Sequence, residues 1–188
     1  MKRSTLLSSM LLVCLSQATM AGNFYLGSSA VLQTITAKNS NYFGIHPTFS
    51  VGYGGMGEKY YWSGEIFVIP VAGTIATSIS HFGVNTKTTY GYGASFIPGM
   101  PFGNHRLGFL RLGFITSNFP GLKASRSGTQ LGAGVRSPLS KKWDWRIEYI
   151  YTTYQTAAGL NSAKSNELAL GLIYNFEPMV PKVRLTYK

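Results

Sequence analysis

The stretch Trp143-Asp144-Trp145-Arg146-Ile147-Glu148-Tyr149-Ile150-Tyr151 alternates without a break. Trp143, Trp145, Ile147, Tyr149 and Tyr151 share one parity, and Asp144, Arg146, Glu148 and Ile150 the other. Successive side chains of an extended strand point to opposite faces, so one face here is apolar or aromatic while the other carries three charges. A half-buried strand of a water-soluble sheet shows such a pattern too. Recurrence decides between them: the alternation returns along the whole chain, behind an export signal. An aromatic outside over a charged inside is what a strand needs when lipid is its outer solvent.

Outward from that stretch, seven further strands are expected. The first, about Asn23 to Ile35, alternates only moderately, with Phe24, Leu26 and Ala30 against Gly27 and Ser29. Tyr42 to Gly54 is clean, with Phe43, Ile45, Pro47, Phe49, Val51 and Tyr53 on one face. Pro47 lacks a ladder donor, which predicts a bulge there. Lys59 to Val71 sets Trp62, Ile66 and Val68 against Ser63 and Glu65. Lys87 to Pro98 sets Tyr90, Tyr92, Ala94 and Phe96 against glycines and Ser95. His105 to Thr116 places Leu110, Leu112 and Phe114 opposite Phe109, Arg111 and Gly113. Ser127 to Ser137 places Leu131, Ala133 and Val135 opposite Gln130, Gly132, Gly134 and Arg136. Asn166 to Phe176 places Leu168, Leu170, Leu172 and Tyr174 opposite Glu167, Ala169, Gly171 and Asn175. Turn residues mark tight connections at 54–58, 98–103 and 138–142. The connections at 36–41, 72–86, 117–126 and 155–165 are expected to be mostly longer and polar. An even number of strands with short turns at one end and longer loops at the other is a membrane-barrel plan, and closure removes the sheet edges that lipid cannot solvate. The fold class expected is all-β, an eight-stranded antiparallel up-and-down transmembrane β-barrel. Trp143 and Trp145 are expected at the short-turn interface, and Tyr151 and Tyr154 at the opposite one.

The N-terminus fits this plan. Lys2 and Arg3 precede a mostly apolar run from Leu6 to Leu15, followed by small-residue cleavage sites ending at Ala18 or Ala21. That reads as a secretory signal over residues 1–21, too short to be a comfortable helical span. Cys14 is the only cysteine and leaves with the signal, so neither a disulfide framework nor a thiolate metal site is expected. Charged residues are only 12% of the chain, against about a quarter in ordinary soluble domains, while Gly (22), Tyr (12) and Phe (11) are plentiful. Residues 22–176 form the barrel in this reading. Residues 177–188 are a periplasmic tail or a further strand segment, with the tail favoured.

The signal, the glycine-rich Tyr90-Gly91-Tyr92-Gly93, Arg146-Ile147-Glu148-Tyr149, and Leu170-Gly171-Leu172-Ile173-Tyr174-Asn175-Phe176 together resemble the small eight-stranded outer-membrane barrels of the OmpA transmembrane-domain and OmpX type, a group of porin-like outer-membrane proteins. The resemblance covers nearly all of the mature chain. It implies a monomer in the bacterial outer membrane, folded there by the barrel-assembly machinery. Such chains usually end on a terminal aromatic that this machinery reads; Phe176 takes that place, yet 12 residues follow it.

Function is sought first in the charges. Glu65, Asp144, Glu148 and Glu167 have inward parity, as do Arg111, Arg136 and Arg146. Eight strands enclose a lumen that side chains just fill, and buried charges persist when paired, so these seven are expected to form a structural salt-bridge core. The alternative is a narrow, gated small-solute pore whose water path they line, with inward glycines leaving room. The long-loop end carries Lys38, Lys123, Arg126 and Lys164 and no acid, with Lys87 at its edge. Cationic loop tips would be drawn to lipopolysaccharide phosphates, or to acidic glycans on a host surface.

Catalysis is not expected. Some small barrels modify lipid A with a His, a Ser and a carboxylate. Thr116-Ser117-Asn118 invites that comparison, but Ile115 stands where the base would be. His46 reads as an inward filler, His81 as a loop residue and His105 as a strand-end residue. The three are too scattered for a metal site, and no cofactor fingerprint occurs. Nucleic acid is not expected as a partner of an exported chain without a basic-aromatic motif.

Overall fold

A computed structural model describes residues 22–37, 40–57, 59–70, 90–103, 105–119, 124–155 and 163–177. Every regular element in it is a strand: β1 Gly22–Ala37, β2 Ser40–Met56, β3 Tyr61–Ile69, β4 Gly91–Phe102, β5 Arg106–Phe119, β6 Ala124–Pro138, β7 Trp143–Tyr154 and β8 Lys164–Asn175. Consecutive strands pair antiparallel. β1 closes on β8 from Tyr25–Asn175 to Thr36–Lys164, which makes a closed barrel in sequence order.

The alternation is realised residue by residue. Along β7, Trp143, Ile147 and Tyr149 are exposed on the outer surface, while Asp144, Arg146, Glu148 and Ile150 are buried inside. Leu110, Leu131 and Leu170 continue the outer apolar surface on β5, β6 and β8. Around the turn end the outer aromatics meet in pairs: Phe24 with Tyr53 at 4.9 Å, Trp143 with Tyr174 at 5.1 Å, and Tyr174 with Phe176 at 5.5 Å between centroids. Amphipathic rings in a row suit a bilayer interface. Tyr154 departs from the expected girdle. It shares parity with Glu148, not with Tyr151, and lies inside the barrel at 1% exposure.

Three local expectations are also corrected. The β1–β2 ladder passes Ala30–Pro47 with no slip in register, so no bulge forms. β3 reaches β2 only as far as Phe49–Val68, and the missing donor of Pro47 therefore falls beyond the β2–β3 ladder. The turn placed at 98–103 is strand as far as Phe102, and the reversal is made by Gly103 and His105 at φ 55° and 68°. Pro101 is tolerated because the β3–β4 ladder has already ended at Tyr61–Gly99. Two of the connections expected to be long are short, 38–39 and 120–123, because β1, β2, β5 and β6 run on past their expected ends. Sixteen tilted residues rise roughly 40 Å, well beyond an apolar band of about 25 Å, so the last rungs stand clear of it.

Candidate functional site

The lumen is filled in three levels. Near the turn end, the first residue of β3, the last inward residues of β6 and β8 and the start of β7 converge. Arg136 donates from Nε to Asp144 at 2.7 Å, from Nη1 to the Tyr61 hydroxyl at 3.2 Å, and from Nη2 to Asn175 Oδ1 at 2.6 Å. Asn175 closes the loop by donating to Asp144 at 2.9 Å. Tyr25 and Tyr61 offer ring faces to the same guanidinium, 5.3 and 5.9 Å from their centroids. Tyr61 also packs with Ile97, Leu107 and Phe109 into an apolar cluster.

Midway along the axis, β3, β5 and β7 bring four charges together. Glu65 accepts from Arg111 at 2.7 Å and from Arg146 at 2.8 Å. Glu148 accepts from Arg111 Nε through a short contact and lies 3.7 Å from Arg146 Nε. Two acids and two arginines thus alternate around a square with no net charge. Ser95 and Tyr25 take up further hydrogen bonds at 2.8 and 3.2 Å. Buried charges are tolerable in such a setting because each has an opposite partner and additional hydrogen bonds.

Toward the loop end an apolar layer follows: Ile35, Phe67, Ile69, Ile115, Tyr154 and Ala163. Glycines make room for its rings. A Cβ on Gly93 would lie 2.5 Å from the Phe67 ring, and one on Gly52 would lie 2.1 Å from Tyr25 lower down. Gly52 and Gly93 are therefore seats for aromatic rings, whereas Gly27, Gly113 and Gly171 lie against serines. Beside the square lies a cavity of about 20 Å³, the size of one or two waters.

Of the seven interior charges, Glu65, Arg111, Arg146 and Glu148 meet in one cluster and Arg136 with Asp144 in another. Glu167 joins neither. Its carboxylate accepts from Gln33 at 2.8 Å and Ser165 at 3.0 Å, and it has no ion pair among the described residues. The four rim cations also separate. Arg126 is corrected outright: it is an inward residue of β6, 6% exposed, and not a loop tip. Lys164 is exposed, but as the first residue of β8. Lys38 and Lys123, like Lys87, lie outside the described residues. The sequence does not mark Tyr25, Tyr61 or Asn175 as site residues. Their inward parity was visible, but nothing there marked them as partners of Arg136.

The comparison with lipid A-modifying barrels gains nothing from the geometry. Ser117 Oγ lies 3.3 Å from the Tyr154 hydroxyl, and Ile115 is buried in the apolar layer. His46 is buried, and its Nδ1 lies 3.4 Å from the Pro47 carbonyl and from the Thr48 hydroxyl. His81 lies outside the described residues.

A family model described as "Outer membrane protein beta-barrel domain" matches residues 5–176. Among solved structures, Neisserial surface protein A is similar at 17% identity, with a TM-score of 0.57 over 83% of this chain and 99% of that one. Ail, the attachment invasion locus protein of Yersinia pestis, is also 17% identical in its complex with the heparin analogue sucrose octasulfate. Its TM-score is 0.49 over 84% of this chain and 100% of that one. The N-terminal barrel of Pseudomonas aeruginosa OprF is 11% identical, with a TM-score of 0.42 over 82% and 99%. At these identities the likeness concerns the fold. No curated protein matches the sequence.

Proposed function

The chain belongs to the outer-membrane protein β-barrel domain family and is a bacterial outer-membrane protein, and from that premise we propose that it acts as a monomeric, plugged barrel whose loop end engages anionic groups at the cell surface. In this reading residues 1–21 are the export signal, the barrel-assembly machinery inserts the mature chain, and residues 177–188 remain periplasmic. The seven interior charges serve structure, and no residue serves catalysis.

The observation that carries this reading is a charge asymmetry between the two ends. The chain has six acids: Glu58, Glu65, Asp144, Glu148, Glu167 and Glu177. None lies in the connections at 38–39, 70–90, 120–123 or 155–163, which together hold Lys38, Lys87 and Lys123, with Lys164 beside the last. An end with cations and no acids attracts phosphate-rich lipopolysaccharide, and the attraction is screened over about 8 Å at physiological ionic strength. Host acidic glycans offer the same chemistry. Against a solute pore stand the two packed layers and the charge square between them.

The test is lipopolysaccharide retention by a Lys38→Gln, Lys123→Gln, Lys164→Gln variant, compared with wild type at low and high salt. Weaker, salt-sensitive retention with an intact barrel is expected. Equal retention at both salt concentrations overturns the surface role.

A further inference from the structure

Arg126 is a buried cation with no acid partner among the described residues. It lies on the inward face of β6, two residues before Gly128, which is paired with Tyr154 at the end of β7. It is 6% exposed, and its Nε is buried with no hydrogen-bond partner. Arginine stays charged in proteins, and an isolated buried guanidinium is among the costliest groups to leave uncompensated.

Among the described residues no carboxylate pairs with it. The connections at its end of the barrel contain no Asp or Glu. Glu65 and Glu148 are committed to Arg111 and Arg146, and Asp144 to Arg136 near the opposite end. Glu167, the one acid in this half of the lumen, is held by Gln33 and Ser165. Glu177 follows β8 at the turn end, and Glu58 lies outside the described residues. Directly across the ladder from Arg126 is Ser117, also buried, whose hydroxyl meets that of Tyr154. A buried guanidinium fork, paired across the ladder with a hydroxyl-bearing residue next to the apolar layer, has the chemistry of an oxyanion cradle.

We infer that Arg126, with Ser117 and Tyr154, forms a recessed site at the loop end for one phosphate or sulfate group. The group's source is a membrane glycolipid headgroup or a soluble anion. The inference deepens the surface-binding reading by naming a residue and a ligand class, but the ion site can be tested separately from the lysine rim.

The experiment uses the full mature chain refolded into phosphatidylcholine vesicles free of lipopolysaccharide. The temperature at which the barrel loses its folded gel mobility is read in chloride, sulfate and phosphate at equal ionic strength. A ligand that binds only the folded state raises that temperature saturably. Wild type is expected to respond to sulfate or phosphate beyond chloride. Arg126→Met is expected to be at least as stable as wild type in chloride, and to bind the ion at least about thirtyfold more weakly. Sulfate also stabilises proteins generally by exclusion, so the difference between wild type and Arg126→Met is the decisive quantity. Equal responses in both proteins, or none in wild type, overturn the site.

Should Arg126→Met fail to fold, equilibrium dialysis of wild type with labelled sulfate decides instead: one ion per barrel supports the site, and none overturns it. Vesicles doped with phosphorylated or dephosphorylated lipid A identify the source. A headgroup makes added sulfate ineffective only in the phosphorylated vesicles, whereas a soluble ligand leaves the sulfate effect in both; either outcome supports the site. The triple lysine variant should keep its sulfate response. If that variant loses the response while Arg126→Met retains it, the anion belongs to the rim and this site is refuted.

Discussion

Glu65 is the corner of the charge square whose removal should be felt most. Its two oxygens receive Arg111 at 2.7 Å and Arg146 at 2.8 Å, and the Tyr25 hydroxyl at 3.2 Å. Glu65→Gln keeps the shape but leaves two arginines facing the single negative charge of Glu148. Arg146 suffers more than Arg111, because its Nε already lacks a hydrogen bond and lies 3.7 Å from Glu148. Removing one partner of a buried pair costs about 3–5 kcal/mol, much of it from the charge left behind. If so, Arg146→Met in the Glu65→Gln background should recover stability, because Arg111 and Glu148 remain as a neutral pair. Urea unfolding in phosphatidylcholine vesicles, followed by tryptophan fluorescence and by the gel mobility of the folded form, measures both changes. We expect the double variant to be more stable than Glu65→Gln alone, with a coupling of about 2 kcal/mol, far above the few tenths by which independent sites deviate from additivity. A Glu65→Gln cost below about 1 kcal/mol, or simple additivity of the two substitutions, would refute the account of the square as one charge-balanced unit.

Other outcomes can be checked alongside. Ile147→Arg places a charge on the lipid face and should destabilise the barrel by roughly 2–4 kcal/mol near the midplane, whereas a like substitution at a rim position should cost less; equal costs at both depths would contradict the membrane assignment. Gly93→Leu should displace the Phe67 ring and destabilise the loop-end layer, and a second change, Phe67→Ala, should relieve part of that loss in the same urea assay. On intact cells, labelling should reach a tag at Gly159 and miss one at Lys141, and the reverse pattern would invert the topology. In planar bilayers the protein should conduct little, and a large steady conductance would favour the pore reading.

The strand count, the parity of nearly every described side chain and the closed antiparallel order were legible because a barrel strand has a strict two-residue period and lipid penalises departures from it. What the sequence concealed follows from the same rule. β1 alternates weakly because three of its inward residues, Tyr25, Val31 and Ile35, are apolar parts of the filled lumen. Arg126 and Tyr154 were misplaced although parity contained the answer. Arg126 is in phase with Gln130 and Arg136, and Tyr154 with Asp144 and Glu148. The expected strand began one residue too late for the first, and the aromatic character of the second outweighed its phase. Partnership across the lumen was not legible at all. Which of four acids meets which of three arginines depends on how far the strands are sheared around the barrel, and no local pattern records that. Hence Glu167, in phase with the other acids, could be placed inside but not recognised as standing apart from their network.

The charge square also bears on how the chain selects its fold. A buried ion pair is weak evidence for stability, since an apolar replacement often serves as well. An all-apolar interior, however, would leave a membrane barrel with two similar faces, and a strand slipped by one residue would then be nearly as acceptable as the correct one. With Arg111 on β5 and Arg146 on β7, a one-residue slip of either strand turns an arginine toward lipid, at roughly 2–4 kcal/mol for each near the midplane, and takes it from its acid as well. Glu65 extends the same constraint to β3. Three alternate strands are thus held in phase by one cluster. The apolar clusters on either side contribute packing without weakening that selection, because rings such as Phe67 and Phe109 sit against glycines, whose own faces carry no such signal.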